Sequence, residues 1–510
     1  MGRITDSTIA ALYSFGKKVY NNEISLEQAA AVVNQEHPEV ALSSAKHYIR
    51  WYSSMRNGSF LTWNSNSSLL IYYVNHIYEE EGENAGKMAC DSAIKFAEHV
   101  HREELIEKLK DIAAKNEVNS VKNIQRPVEK EEGDNSMRYI DIIGQIKDYI
   151  KEKGFTYPDE LIENFFLSLK AKPFVILAGT SGTGKTRLVR LFAEAVGATH
   201  ANGRYKQVAV RPDWSDSSEL FGHVDLNGQF VNGEITNFIE QASEHEDMPY
   251  FLCLDEMNLA RVEYYMSDIL SVMETRDIKN GRIETDSISV EGYGNISFPE
   301  NLYIIGTVNM DETTFPFSKK VLDRANTIEF SFVDLLPHFD ENDIPPKNVK
   351  SLELKNSFFK AEYLFLNQCT KDYREFVTQC CQRLEDMNNI LKEANAQVGY
   401  RVRDEVTFYM LYDKKMNLIP LRDAMDNEIL QKILPRIQGS SSSVRDMICE
   451  LFIYCAADYK GYQTGSGEIY KKMNAVLSDD KRVARYPRSA AKLAYMMRRY
   501  EEDGFTSYWL

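Results

Sequence analysis

The stretch Gly179-Thr180-Ser181-Gly182-Thr183-Gly184-Lys185-Thr186 constrains this chain more than any other. It fits G-x-x-x-x-G-K-[ST], a loop whose glycines let backbone N–H groups converge on phosphate oxygens. The flanks suit that purpose. The apolar run Phe174-Val175-Ile176-Leu177-Ala178 predicts a buried strand leading in, and Leu188, Val189, Leu191, Phe192 and Val196 form an apolar helical face leading out. A helix that starts at the loop adds partial positive charge to a phosphate site. Lys185 is expected to reach the β- and γ-phosphates of a nucleotide, and the Thr186 hydroxyl to bind Mg²⁺.

A second constellation follows downstream. Tyr250-Phe251-Leu252-Cys253-Leu254 is an apolar strand that ends in Asp255-Glu256, the Walker B pattern. Asp255 is expected to hold Mg²⁺ and Glu256 to polarise the attacking water as a general base. The two motifs in this order point to hydrolysis of a nucleoside triphosphate, with ATP and GTP both open.

Length and composition set the frame for that domain. At 510 residues the chain exceeds one hydrophobic core, so several domains are expected. Its 43% hydrophobic and 27% charged content is ordinary for a globular protein. The seven cysteines are odd in number, lack C-x-x-C spacing and sit in apolar context, which predicts reduced thiols rather than disulfides or zinc ligands. No apolar run is long enough to span a bilayer, and residues 1–6 lack a signal-peptide core, so a cytoplasmic location without membrane contact is expected. The net charge of −16 excludes non-specific attraction of the whole molecule to nucleic acid. Any DNA contact needs a local basic patch, an assembled ring or a partner.

Four regions emerge. Residues 1–115 read as an all-helical N-terminal domain, with helices over about 25–34, 43–56, 67–80 and 84–114. Lys46 and Arg50 share a helical face and Arg56 lies near its end, with Tyr48, Trp51, Tyr52 and Trp63 close by. That combination fits either a plain bundle or a nucleic-acid reader, in which an aromatic ring could stack on an extruded base. Residues 116–137 are charged and poor in apolar side chains, which predicts a linker. Residues 138–345 are the expected α/β nucleotidase core, a parallel sheet flanked by helices. Residues 346–510 are expected to be a helical lid and C-terminal region, with helices over 373–394, 401–412, 428–437 and 444–457.

Further segments carry a family resemblance. The strand Leu302-Tyr303-Ile304-Ile305-Gly306-Thr307 leads to Asn309, which resembles sensor 1 of AAA+ proteins, a polar residue that positions water. Arg324 precedes the strand-like Asn326-Thr327-Ile328-Glu329-Phe330, where an AAA+ arginine finger would act on a neighbour's nucleotide. The segment from Leu254 to Tyr265 resembles the Walker B region of the McrB family, the AAA+ motors of McrBC modification-dependent restriction systems. The loop from Arg211 to Gly222 and the run from Arg485 to Leu493 are similar to the same family. Gly399-Tyr400-Arg401-Val402-Arg403 resembles its lid segment with a sensor 2-like arginine, assigned to Arg401 ahead of Arg403. The family's M-N-x-x-D-R signature stands here as Val308-Asn309-Met310-Asp311-Glu312-Thr313, with the asparagine kept.

The resemblance spans roughly residues 155–510. It implies a ring, six subunits being the expected size, a McrC-like nuclease partner and a DNA target, modified DNA included, chosen by residues 1–115. A role in restriction or antiviral defence goes with it. The alternative is a nucleotide-switched remodeller or scaffold that recruits no nuclease. No nuclease site of its own is expected: Asp340 with Glu353-Leu354-Lys355 is a loose D…ExK pattern attributable to chance.

Overall fold

The computed structural model describes residues 5–509, apart from 22–23, 57–60, 62–66, 82, 101, 123–134, 159, 280, 311–314, 331–348, 370, 457–468 and 479–483. The chain divides into two compact units, Met1–Glu131 and Glu132–Leu510.

The first unit is a helical bundle: Asp6–Tyr20, Leu26–Glu36, Leu42–Arg56, Ser67–Glu81, Glu83–His99 and Glu103–Lys122. Ser25 opens its helix with the reciprocal cap that its Ser-x-x-Gln spacing predicts, both hydrogen bonds being present. Three expectations change here. The helix expected over 84–114 breaks after His99 and restarts at Glu103, where the Arg102 N–H bonds back to Ala97. Residues 116–122 belong to a helix and 135–137 begin the next, because charged residues suit a solvated helix as well as a linker. Tyr48, Trp51 and Tyr52 are core residues, Trp51 being 2% exposed, and rings of Tyr13, Tyr20 and Phe96 pack edge-on or tilted against Tyr52 and Trp51. Their apolar spacing reflects burial, so neither Tyr48 nor Trp51 is available to stack on a base. Trp63 lies outside the described residues.

The second unit holds a five-stranded parallel sheet. Its strands in chain order are β1 (Phe174–Gly179), β2 (Tyr205–Ala209), β3 (Tyr250–Asp255), β4 (Leu302–Asn309) and β5 (Asn326–Glu329). They lie side by side in the order β5-β1-β4-β3-β2. Strands buried on both faces must be apolar throughout, which is why β1, β3 and β4 read as unbroken hydrophobic runs. Alternate residues then feed opposite cores. Val175, Leu177, Phe251, Cys253, Tyr303 and Ile305 face the side covered by the helices Leu161–Ala171 and Lys185–Ala195, and that core continues into the lid. Phe174, Ile176, Leu252, Leu254 and Ile304 face the helix Thr236–Glu244. This is the α/β AAA+ architecture; the lid, expected to be all-α, is helical apart from one short strand pair, Gln438–Gly439 with Thr506–Ser507.

Three small hairpins decorate the sheet: Gly222–Val224 with Phe230–Asn232, Asp277–Lys279 with Arg282–Glu284, and Ser287–Val290 with Gly294–Ser297. The lid comprises Arg374–Lys392, Tyr400–Met416, Leu421–Glu428, Ser442–Ala456, Ile469–Leu477 and Pro487–Asp503. The helix expected over 428–437 is shorter than its pattern. It passes through a wide turn, Ile429–Ile433, into the tight turn Leu434–Arg436, where Pro435 has no N–H to continue the ladder. Residues 349–356 still run along the core: Leu352 N–H bonds to Ala195, Leu354 N–H to Val196 and Asn356 N–H to Asp247. The C-terminal apolar run docks on its own lid, Thr506–Ser507 pairing with Gln438–Gly439 and Trp509 Nε1 donating to the Pro435 carbonyl at 3.0 Å. All seven cysteines are free thiols. Among the described residues no helix is long and apolar enough to cross a membrane.

Candidate functional site: a phosphate loop facing two carboxylates

In a parallel sheet the loops leaving the strand C-termini gather at one edge, and the site lies there. β1 ends in Gly179, whose α-hydrogen faces the Phe330 carbonyl oxygen so closely that a Cβ would collide with it. Gly182 and Gly184 have φ of 80° and 90°, the left-handed region, which turns the loop so that the helix Lys185–Ala195 starts at its end. The Lys185 side chain is only 5% exposed and runs back along the loop. Its ammonium donates to the carbonyls of Gly179 at 3.1 Å and Thr180 at 2.7 Å, and to Thr183 Oγ1 at 3.5 Å. The Thr183 hydroxyl donates to the Thr180 carbonyl, which closes the turn around Ser181. From below, Tyr157 Oη donates to the Gly184 carbonyl at 3.3 Å; burial pushes that phenol up to about 12, so it stays a donor.

β3 lies two strands from β1, and its terminal carboxylates meet the loop. Thr186 Oγ1 donates to Asp255 Oδ1 at 2.6 Å. Gln207 Nε2 donates to the other oxygen at 2.9 Å. Thr307 on β4 donates to Asp255 Oδ1 at 2.6 Å and accepts the Glu256 backbone N–H at 3.0 Å. Glu256 itself is held at φ 53°, a conformation that costs a non-glycine residue free energy and marks functional turns. Asn309 Nδ2 donates to Glu256 Oε1 at 2.9 Å. Asn258 Nδ2 donates to the Asn309 carbonyl at 3.2 Å, which ties the strand ends together.

Thus Gly179 to Thr186, Asp255, Glu256 and Asn309 converge. The Thr186 hydroxyl and an Asp255 oxygen are adjacent hard oxygen donors, the chemistry Mg²⁺ prefers. Among the described residues no group of three or more His, Cys, Asp or Glu side chains could hold a metal by itself. Such an ion would take its remaining ligands from phosphate and water. Asn309 fixes the direction of the Glu256 carboxylate, so a water held against it could lose a proton while attacking a phosphorus.

A cleft of about 430 Å³ opens beside the loop. Pro158, Glu160 and Leu161 line it from the segment before the sheet, Ile328 to Phe330 from β5, and Arg488 and Lys492 from the lid. Phe330, which lines the cleft, donates its N–H to the Ala178 carbonyl next to the phosphate loop. Among the described residues no carboxylate lies within ion-pair distance of the exposed Arg488 guanidinium, whereas Lys492 pairs with Glu329 at 2.9 Å.

Two expected residues are elsewhere. Arg324 stands before β5, which pairs with β1 in the register Val175↔Asn326. At ~3.3 Å per residue it lies about 20 Å along the strands from Gly179. It is buried within this chain. Its side chain is 9% exposed, Nε donates to the Leu270 carbonyl at 2.8 Å, Nη1 donates to Lys320, and Nη2 pairs with Glu274. Arg401, expected as the sensor 2-like residue, sits at that same end, its Nη1 3.1 Å from Glu274 Oε1. Arg403 pairs with its neighbour Asp404. A helix start fixes where such a residue begins but not which end of the sheet it reaches, so motif order alone did not place Arg401 or Arg403. Thr307 was missed as well: its signal, a hydroxyl inside an apolar strand two residues before Asn309, is faint.

The remaining candidates are accounted for. Glu353 pairs with Arg204 and Lys355 with Asp247, so these two do not converge on a metal, and Asp340 lies outside the described residues. Asp311, Glu312 and Thr313 of the altered signature also lie outside them. On the N-terminal bundle Lys46 is 3.5 Å from Glu27, Arg50 is exposed, and Arg56 stands over the Tyr20 ring.

The chain is similar to known proteins. Residues 174–325 match the AAA domain of the dynein-related subfamily, and residues 348–505 match a domain of unknown function. Over 253 residues the chain is 29% identical to the type IV methyl-directed restriction enzyme EcoKMcrB subunit of Escherichia coli (strain K12), covering 48% of this chain and 49% of that protein. It is 26% identical over 215 residues to Lon protease of Clostridioides difficile (strain 630), covering 42% of this chain and 25% of the protease. The chain therefore spans half or less of the relatives it matches. A presumed ATPase from Cytophaga hutchinsonii ATCC 33406 superimposes with a TM-score of 0.40 at 14% identity, over 63% of this chain and 90% of that one.

Proposed function

We propose that this chain, a McrB-like AAA+ protein, is the nucleoside-triphosphatase motor of a restriction system that attacks modified DNA. One observation carries the reading: Lys185, Thr186, Asp255, Glu256 and Asn309 meet at one edge of the sheet, with Asp255 and Glu256 tied together by Thr307. In this reading the loop N–H groups and Lys185 bind the β- and γ-phosphates. Thr186 and Asp255 hold Mg²⁺, which would neutralise charge developing on the phosphates. Glu256 takes the proton of the attacking water, and Asn309 keeps its carboxylate aimed. ATP and GTP both serve as candidate substrates.

The motor forms a ring, six copies being the expected size, and works in the cytoplasm with a separate McrC-like nuclease that does the cutting. The likeness to a restriction-enzyme subunit supports that division of labour. The N-terminal bundle chooses the DNA target through Lys46 and Arg50. A second reading, a remodeller of protein clients without a nuclease, is favoured by the likeness to Lon protease.

The test is hydrolysis of ATP and of GTP with Mg²⁺, followed by DNA cleavage with and without the nuclease encoded alongside. Turnover without Glu256 would end the motor assignment. DNA left uncut by the reconstituted pair, with a protein client remodelled instead, would select the second reading.

A further inference from the structure

Asp255 closes β3, and both strands beside β3 send its carboxylate a hydrogen-bond donor. From β4, Thr307 Oγ1 reaches Oδ1 at 2.6 Å, and Thr186 Oγ1, at the start of the helix after the phosphate loop, reaches the same oxygen at 2.6 Å. From β2, Gln207 Nε2 reaches Oδ2 at 2.9 Å. β2 is the last strand of the sheet, and Gln207 is exposed on it. An exposed amide on an edge strand is ordinarily left to water. This one stands in register with Cys253, two residues short of Asp255, so it shares a face of the sheet with the carboxylate and leans forward along the strand to meet it. Asparagine, one methylene shorter, does not cover that offset.

An ionised carboxylate has about four acceptor sites, two on each oxygen. The hydroxyls of Thr186 and Thr307 fill both sites on Oδ1, and the Gln207 amide fills one on Oδ2, so a single site is left for a metal ion or its water. Mg²⁺ needs no more, because it takes single oxygens in an octahedron and keeps several waters. Ca²⁺ gathers about six to eight oxygens and often takes both oxygens of one carboxylate.

We propose that Gln207 is a positioning residue which keeps Asp255 a one-site ligand and so selects Mg²⁺ against Ca²⁺ at the phosphate loop. This rests on the triphosphatase reading above. The amide limits the carboxylate in two ways. It occupies a site on Oδ2, and it fixes the carboxylate plane, because rotation about the Cβ–Cγ bond would break its hydrogen bond together with those of Thr186 and Thr307. The two threonines hold Oδ1 alone. Without Gln207, Oδ2 is open on both sites, and a larger ion can close on it. A donor on an exposed edge strand can set this preference without any change to the apolar core.

The experiment uses the full chain with fluorescent, non-hydrolysable analogues of ATP and GTP. Analogue binding is titrated with Mg²⁺ and, separately, with Ca²⁺, and turnover of the natural triphosphates is measured with Mg²⁺. The quantity read is the half-saturating concentration of Ca²⁺ divided by that of Mg²⁺. Gln207→Met, which keeps the length and removes the donor, should lower this ratio about tenfold, chiefly by tightening Ca²⁺. Gln207→Asn, whose donor falls short, should do the same. Gln207→Glu, which sets a second carboxylate beside Oδ2, should lower the ratio further. A residue that merely supported the strand would weaken both ions together and leave the ratio where it was. An unchanged ratio in Gln207→Met and Gln207→Asn therefore overturns the proposal, while Mg²⁺-dependent turnover of the wild type keeps the triphosphatase reading standing. If the wild type binds the analogues no better with either ion and shows no turnover with Mg²⁺, the triphosphatase reading falls and this proposal with it.

Discussion

The Thr307 hydroxyl donates to Asp255 Oδ1 at 2.6 Å and in the same position receives the backbone N–H of Glu256. One side chain on β4 thus fixes both carboxylate-bearing residues at the end of β3. Replacing it by the isosteric valine keeps the strand but leaves the half-buried Glu256 N–H without its acceptor and removes a donor from Asp255. We expect Thr307→Val to lower kcat by about tenfold or more and to cost ~1–3 kcal/mol of stability. Thr307→Ser should keep most of both. Steady-state kinetics and denaturant melts of the pair check this.

Glu256→Gln should bind nucleotide with near-normal affinity and hydrolyse it about 10²–10⁴-fold more slowly, since only the proton acceptor is removed. Asn309→Ala should cost less and should add little to Glu256→Gln, because it acts through that carboxylate. Lys185→Ala should fail to bind. Binding by fluorescent nucleotide, paired with single-turnover rates, separates the three.

Arg488→Ala is expected to raise nucleotide KM about tenfold, as loss of a charge-assisted contact beside the cleft would, with assembly unchanged. Arg401→Ala should behave in the opposite way, sparing KM. Equal KM for Arg488→Ala and wild type would remove Arg488 from the site.

Acid–base behaviour should be visible in the lid. Burial pushes Glu428 up to about 8 and Asp413 likewise to about 8; Glu428 has neither oxygen bonded and Asp413 Oδ2 is bare. Both are raised above their unfolded values, so the folded state holds the protons more tightly. Their stability contribution is complete below about pH 4 and is lost as pH rises toward 8. Melting temperature should therefore fall between pH 5 and 8, and Glu428→Gln should flatten that slope. A slope unchanged in the variant would mean that Glu428 does not titrate there.

Lys46→Glu with Arg50→Glu, on the surface of the N-terminal bundle, should weaken DNA binding by the full chain without altering turnover. Wild-type affinity should drop as salt rises. Equal affinity of the double variant and wild type at low salt would move target recognition off that helix.

Local signals decided what the sequence disclosed. The loop at Gly179–Thr186 and the carboxylates at 255 and 256 are legible because each is a contiguous run whose flanking periodicity states its secondary structure. The strands β1, β3 and β4 follow from the same logic. The sites of Thr307, Arg488 and Glu274 do not, because each owes its place to the register of β4 or to how the lid packs. Trp51 and Tyr48 show the converse: aromatic residues near lysine and arginine look like a ligand surface until the helix face they occupy is known. The three small hairpins escape for want of alternation over more than a few residues.

The buried triad Lys172–Glu405–Lys432 has a mechanical meaning. Lys172 leads into β1, while Glu405 and Lys432 belong to the lid, and the carboxylate takes 2.5 Å and 2.6 Å contacts from the two ammonium groups. Burial alone would raise Glu405, yet the two lysines hold it at about 2. Opening a hinge between core and lid would tear this charge from its partners at a cost of about 3–5 kcal/mol. The apolar core runs unbroken across the same seam. Core and lid of one chain are thus welded into a single lever. Under the motor reading proposed above, movement driven by a bound triphosphate is expected between this unit and what it touches rather than at the seam between core and lid.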